Sequence, residues 1–155
     1  MKRQPKILSI NGTFLVAPLL IWAGLIIFSQ QSSLVVISNV KGAPASMKMA
    51  ELRSVMKGER QRWNDGTKVN IFLMKTTTDL GRVTCDKVYK MSSDRVKRFW
   101  LELTFGGKAN APTFCNSADE LESLVAQNPG SIGILDKSNG KKDTKVILID
   151  GKESF

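Results

Sequence analysis

A run of hydroxyl side chains at Thr76 to Thr78, flanked by Lys75 and Arg82, is the part of this sequence best suited to hold an anion. It follows the apolar run Val69 to Met74 and precedes a predicted helix, so hydroxyls and free backbone N–H groups should point the same way. Asp79 opposes this interpretation, because its carboxylate would repel a phosphate group. The candidate anion-binding residues are Thr76, Thr77, Thr78 and Arg82.

The same residues have a simpler structural use. Threonine and aspartate are preferred at the N-cap of a helix, where the side-chain oxygen accepts a hydrogen bond from the first turn. Thr77, Thr78 or Asp79 would serve as such a cap for a helix predicted over Leu80 to Lys90. Capping is the common role of these residue types, and anion binding is an additional hypothesis.

Cys85 and Cys115 are the only cysteines in 155 residues. An even count in a chain that looks exported favours a disulfide, because thiols oxidise outside the cytoplasm. Closing a loop of about 30 residues would stabilise the domain by roughly 3 to 4 kcal/mol in the chain-entropy model. Two free thiols are the alternative, since the sequence does not show the Cα separation that bridging requires.

The composition narrows the classes of function. Histidine is absent, which removes the commonest general base and metal ligand, so we expect no enzyme, no metal site and no cofactor. Lysine and arginine total 23 against 14 acidic residues. This excess favours anionic partners such as phosphate groups, acidic polymers or an anionic bilayer, although a merely solubilising surface is the alternative. We expect no nucleic-acid partner.

The first 29 residues predict export. Three basic residues precede Phe14 to Phe28, an uncharged run of 15 residues with the length of a signal-peptide h-region. Cleavage near Ser29 would make residues 1–29 a signal peptide. Left uncleaved, Thr13 to Ser33 is long enough for an apolar membrane-anchor helix. Either outcome places the protein in the periplasm or another extracytoplasmic compartment, secreted or anchored to the inner membrane.

Strand and helix patterns alternate through the remainder of the chain. Their order predicts an α/β domain over residues 34–150, a mixed sheet with flanking helices and a closing antiparallel hairpin, with residues 151–155 as a tail. The predicted strands are Leu34–Ser38, Val69–Met74, Ile132–Leu135 and Val146–Ile149. The predicted helices run from an N-cap at Ser46 to Lys57, from Leu80 to Lys90, from Ser93 to Gly106, and onward from a capping box at Ser117.

The aromatic side chains are mostly expected in the core. Phe99 and Trp100 lie on an apolar stripe with helical spacing, and Phe105 stands just before the predicted end of that helix. Trp63, in a turn before the second long strand, is the one aromatic residue that we keep as a candidate ligand contact.

Three motifs resemble those of a known family. The chain has VMKG at 55–58 followed by RWNDGTKV at 62–69, then FWLELTFGGK at 99–108 and PGSIGI at 129–134. These are similar to the I-F-x-G-K with W-x-D-G, Y-W-x-x-x-x-F-x-G-x and P-G-A-I-G-Y motifs of phosphate ABC transporter substrate-binding proteins, which are periplasmic binding proteins of the second structural type. The resemblance covers about residues 34–149. Full-length members are about twice this size and close two lobes over phosphate.

The resemblance implies a single periplasmic-binding-protein-like lobe that binds a small anion such as phosphate and works with a membrane transporter or receptor. Residues 76–84 stand where full-length relatives have S-G-T-T before a helix. Because only one lobe is present, a second function is equally in view. In that case the chain is a membrane-tethered interaction or signalling module that keeps the fold without binding solute. A homodimer is one arrangement that would rebuild a cleft.

Overall fold

The computed structural model describes residues 33–155, in which six strands form one mixed sheet. In chain order the strands are β1 (Val35–Asn39), β2 (Ser46–Met47), β3 (Asn70–Met74), β4 (Thr113–Cys115), β5 (Ser131–Leu135) and β6 (Thr144–Ile149). Across the sheet their order is β2-β6-β1-β5-β3-β4. β1 is antiparallel to both neighbours, whereas β3 is parallel to β4 and β5. The carboxyl ends of β3, β4 and β5 therefore meet at one end of the sheet.

Helices cover both faces of this sheet. They are α1 (Met49–Met56), α2 (Asp79–Thr84), α3 (Ser93–Phe105) and α4 (Ala118–Gln127). A π-helical segment, Cys85–Tyr89, continues α2 directly and ends at Lys90, whose φ is 56°. The helix predicted over 80–90 is thus confirmed, although its second half is π-helical and not α-helical. The predicted start of α3 is also confirmed, because the Ser92 hydroxyl accepts a hydrogen bond from the Arg95 N–H.

Two hydrophobic clusters lie on opposite faces of the sheet, because successive strand side chains point to opposite sides. Ile71 and Leu73 of β3 join the cluster under α1, the π-helical segment and α3. Phe72 and Met74 of the same strand join the cluster under α4. Residues 33–155 all belong to one compact unit. Since its own helices cover both faces of its sheet, we expect this unit to fold by itself.

The predicted closing hairpin is wrong. β5 and β6 do not pair with each other, because β1 lies between them and pairs with both. The connection 136–143 instead crosses the α4 face of the sheet. It is held there by Glu122, a fully buried carboxylate that accepts hydrogen bonds from the Ser138 hydroxyl at 2.8 Å and the Asn139 N–H at 3.0 Å. Both apolar runs gain more by pairing with the buried central strand than with each other.

The predicted N-cap at Ser46 is also wrong. Ser46 lies in β2, which pairs in parallel with β6, so the backbone is still extended there. The helix begins only at Met49, and the Lys48 N–H donates to the Glu51 carboxylate at 2.9 Å. The three-residue strand β4 was not predicted, because a run this short after Pro112 carries no periodic signal.

The last residues return to the sheet. The backbone groups of Phe155 exchange hydrogen bonds with those of Leu34 at 2.9 and 3.0 Å. Residues 151–155, named above as a tail, therefore lie beside the start of β1. The predicted signal peptide or anchor at 1–29 lies outside the described residues. Within residues 33–155, no helix has the length and apolar character needed to cross a membrane.

Candidate functional site

The candidate site lies at the carboxyl ends of β3 and β4. These strands are parallel neighbours, and each is followed by the start of a helix, α2 after β3 and α4 after β4. The Lys75 N–H donates to the Cys115 carbonyl at 3.0 Å, which continues the pairing just beyond β3. The Ser93 hydroxyl donates to the Thr76 carbonyl at 3.1 Å and brings the start of α3 to the same place. Three helix starts therefore surround residues 75–78.

The three threonines have different environments. The Thr78 hydroxyl donates to the Lys75 carbonyl at 2.8 Å and accepts from the Gly81 N–H at 3.0 Å, so it caps α2. Thr76 is buried and Thr77 is exposed. Neither hydroxyl has a hydrogen-bond partner within residues 33–155, so both keep their capacity for a ligand. The predicted capping role thus falls on Thr78, and two hydroxyls remain for the predicted anion.

Arg82 is near this cluster but is engaged elsewhere. Its guanidinium donates to the Thr77 carbonyl at 2.8 Å and pairs with the carboxylate of Asp79. Both side chains of the pair are more than half exposed. Because solvent-exposed pairs contribute roughly 0 to 1 kcal/mol, an incoming anion can compete for the arginine. Asp79 remains the group that opposes anion binding.

A hollow of about 270 Å³ opens beside the two free threonines. Lys97, which the sequence analysis did not single out, lines it together with Lys75. Lys97 is exposed and lies 3.5 Å from the Asp94 carboxylate. Phe114, in strand β4, contributes an aromatic side chain to the wall of this hollow. The residues lining it are Lys75, Thr76, Thr77, Lys97 and Phe114.

A second hollow of about 340 Å³ lies beside the first along α3 and shares Lys97 and Phe114 with it. Phe105, predicted to be buried, is 86% exposed here, and Leu101 is 54% exposed. The apolar stripe of α3 ends at Leu103, and Phe105 lies off that face of the helix, so its side chain is exposed. The remaining lining residues are Trp100, Thr104 and Ala111.

Trp100 forms the fixed floor of this second hollow. Its indole N–H donates to the Tyr89 hydroxyl at 3.3 Å, and that hydroxyl donates to the Met56 carbonyl at 2.6 Å. Burial raises the pKa of Tyr89, so the phenol stays protonated and keeps this bond. The predicted core position of Trp100 is confirmed.

Trp63, kept above as a candidate contact, is a structural residue. It is 3% exposed, and its indole N–H donates to the Gly130 carbonyl at 2.8 Å. The predicted turn that follows it is confirmed, since the Gly66 N–H donates to the Trp63 carbonyl at 3.0 Å. Hydrogen bonds from the Thr67 N–H and hydroxyl lower the pKa of Asp65. The Asp65 carboxylate thus stabilises this turn by an Asx-type hydrogen bond to the backbone two residues on.

The predicted disulfide is wrong for this structure, in which Cys85 and Cys115 are both free and buried. Cys85 packs in the cluster under α3, whereas Cys115 packs in the cluster under α4, with the sheet between them. Burial raises the pKa of both thiols, to about 11 for Cys115. Neither is activated as a nucleophile.

The carboxylate of Glu120, near the site, is held by hydrogen bonds. Glu120 accepts hydrogen bonds from the backbone N–H and side-chain amide of Asn116 at 2.7 and 3.2 Å, and the Asn116 N–H is the main cause of its lowered pKa. Lys75 is a further, smaller cause. The predicted cap at Ser117 is confirmed, because its hydroxyl accepts from the Glu120 N–H. Among residues 33–155, no group of three or more acidic or cysteine side chains could hold a metal ion.

No protein-family model and no curated protein matches this sequence. Solved structures do match. Residues covering 79% of this chain superpose on 48% of an ABC-type phosphate transport receptor from Vibrio cholerae, with a TM-score of 0.58 and 14% identity. A phosphate ABC transporter substrate-binding protein from Clostridium perfringens, solved with phosphate bound, matches with a TM-score of 0.57 and 12% identity, 78% of this chain against 46% of that one.

PstS from Borrelia burgdorferi gives the same result, with a TM-score of 0.57, 14% identity and coverage of 77% of this chain and 48% of that chain. The chain therefore spans about half the length of the solved structures it matches. The α/β fold that the sequence motifs implied is confirmed at the level of architecture. This domain resembles one lobe of a phosphate ABC transporter substrate-binding protein.

Proposed function

We propose that this chain is an extracytoplasmic solute-binding module that takes up a small anion such as phosphate at the carboxyl ends of β3 and β4. The observation that carries the proposal is the coincidence of fold and site. Similar solved structures are described as phosphate receptors, and the end of the sheet where ligands bind in open α/β folds here carries free hydroxyls and lysines.

The recognition we propose needs no chemistry on the ligand. Thr76 and Thr77 would donate their unpartnered hydroxyls, and Lys75 and Lys97 would supply positive charge from either side of the hollow. Arg82 would join after leaving Asp79. Thr78 would act indirectly, because its hydroxyl positions the first turn of α2. Hydrogen bonds to a charged group contribute roughly 1.5 to 3 kcal/mol each, so two or three of them suit micromolar to millimolar binding.

The location and partner belong to the same proposal. Export through residues 1–29 would deliver the domain to the periplasm, either free or held at the inner membrane, where a transporter or receptor could accept the solute. Sequencing the amino terminus of the protein purified from the periplasm would test this. A new terminus near Ser29 supports a cleaved signal peptide, and an intact terminus in the membrane fraction supports an anchor.

Isothermal titration with inorganic phosphate tests the anion site. We expect binding that weakens by about tenfold in a Lys97→Gln variant, because that change removes one of the two facing charges. Lys137→Gln, an exposed lysine in the 136–143 connection, is the matched control and should titrate like the wild type. A wild-type protein that gives no heat up to millimolar phosphate contradicts the proposal.

The second candidate function is a membrane-tethered interaction or signalling module that keeps the fold without solute. It is favoured by the match to only about half of each phosphate-binding structure and by the exposed Leu101 and Phe105. The two candidates separate by mass action, because a ligand that binds only the native state raises the melting temperature. A melting temperature unmoved by phosphate, sulfate and related anions favours the interaction module.

A further inference from the structure

We propose that the groove between α3 and the edge strand β4 binds a single-chain amphiphile with an anionic head group, such as an alkyl phosphate. The inference rests on the proposed anion site, whose lysines it uses for the head group, and it extends that site by naming the ligand class. The head group lies beside Lys75 and Lys97. The hydrocarbon chain lies over Trp100 and Phe114.

The two hollows lie side by side between α3 and β4. They share Lys97 and Phe114, so a ligand that extends past these two side chains would contact both. The surface of both hollows is mainly apolar, and Lys75, Thr76 and Thr77 place the polar groups at the first one. A mainly apolar pocket with a few polar groups at one place is the usual form of a small-molecule site.

Inorganic phosphate alone would leave the exposed apolar side chains of the second hollow uncovered. Leu101 and Phe105 are 54% and 86% exposed, and Val40 is the one other large hydrophobic side chain among residues 33–155 that is exposed to a comparable degree. Leaving such side chains in water is unfavourable, and an exposed apolar patch commonly marks a binding surface. A hydrocarbon chain would cover this patch, whereas a phosphate ion would not reach it.

The positive charges of the two lysines favour a ligand with an anionic head group. Lys75 and Lys97 are both exposed, and no carboxylate lines either hollow within the described part of the chain. The acidic groups around this site are each engaged: Asp94 lies 3.5 Å from Lys97, Glu120 accepts from Asn116, and Asp79 pairs with Arg82. Since the exposed Asp94 pair is weak, Lys97 can turn to a ligand.

A chain-length series tests the proposal on the full-length protein. Hexyl, octyl and decyl phosphate are titrated below the concentrations at which they form micelles, and binding is followed by calorimetry and by tryptophan fluorescence. A fully buried methylene adds roughly three- to fourfold to an affinity. We therefore expect binding to tighten at least twofold per added methylene in this open groove, with inorganic phosphate more than tenfold weaker than decyl phosphate.

Matched variants locate the bound ligand. A Leu101→Ser, Phe105→Ser double variant should weaken decyl phosphate at least tenfold and leave inorganic phosphate unchanged, because neither side chain lines the hollow beside Thr76 and Thr77. Lys97→Gln should weaken both ligands. Val40→Ser and Lys137→Gln, exposed residues of the same types elsewhere on the domain, should change neither.

The outcomes separate this inference from the proposed function. Affinity that does not depend on chain length, with phosphate still bound, overturns the inference and leaves the anion site standing. Alkyl phosphates that bind with the predicted length dependence, while phosphate gives no heat, support the groove and contradict phosphate as the solute. Sedimentation with phosphatidylglycerol vesicles but no binding of monomeric alkyl phosphate overturns the inference in favour of a membrane-surface contact.

Discussion

The two ends of β3 differ in how they are packed: the amino end is buried and hydrogen-bonded, whereas the carboxyl end opens to solvent. At its amino end Trp63 is 3% exposed, its N–H reaches the Gly130 carbonyl at 2.8 Å, and the Gly130 N–H donates to the Lys41 carbonyl at 2.9 Å. At its carboxyl end Lys75 and Thr77 are exposed beside an open hollow. The closed end should therefore determine stability, and the open end should determine binding.

The largest effect is expected at the closed end. Trp63→Ala should lower the free energy of unfolding by about 3 to 5 kcal/mol, because it empties a packed aromatic site and leaves the Gly130 carbonyl with one partner fewer. Urea denaturation followed by circular dichroism measures this. Phe105→Ala, on the exposed groove, is the control and should change stability by less than about 0.5 kcal/mol. Equal losses in the two variants would contradict the division between the ends.

A pair of glycine substitutions sharpens the same point. Gly130 and Gly66 both have positive φ, 76° and 85°, so alanine is strained by a similar amount at each. A Cβ at Gly130 would lie 2.2 Å from the Lys68 carbonyl oxygen, whereas a Cβ at Gly66 meets open space. We expect Gly66→Ala to cost about 1 kcal/mol and Gly130→Ala to cost at least about 2 kcal/mol more.

The measurement for the glycine pair is the urea midpoint of each variant, with the slope of the transition checked for constancy. Similar midpoints would mean that the close approach of the 66–68 turn to Gly130 contributes nothing beyond backbone strain.

Thr78→Ala tests whether the open end contributes any stability. Loss of the α2 cap should cost about 1 kcal/mol, and Thr78→Ser, which keeps the hydroxyl, should restore most of it. Phosphate affinity measured in the same variants should change less than twofold at a temperature where both remain folded. A large loss of affinity with little loss of stability would instead make Thr78 a direct ligand.

The smallest effect on stability at neutral pH is expected for the buried thiol of Cys115, at the end of β4 next to the open end of β3. The pKa of Cys115 is raised from 9.0 to about 11 by burial, so the folded state holds its proton more tightly than the unfolded state. The resulting stability is fully present below about pH 9 and is lost as pH rises toward 11. The free energy of unfolding should fall over this range more steeply in the wild type than in Cys115→Ala, as measured by urea denaturation at several pH values. Equal slopes would mean that the thiol is accessible to water.

Local patterns predicted most of the elements, because caps and core stripes depend on neighbouring residues. The helix Ser93–Phe105 follows from an apolar stripe with helical spacing and a glycine stop, and it forms as predicted. The candidate site could be predicted only in part. Thr76 to Thr78 precede a helix in the sequence, whereas Lys97 and Phe114 join them only because α3 and β4 pack beside β3.

The sequence by itself determined the α/β class, the strand that begins near Leu34, the excess of basic residues and the lack of histidine. The tertiary structure decided that β1 separates β5 from β6, that Cys85 and Cys115 lie on opposite faces, and that an apolar hollow lies beside the candidate anion site. The physical reason is range. Periodicity and capping act over a few residues, but strand order is set by competition among distant apolar runs for the same central strand, and every contact across the sheet depends on that order.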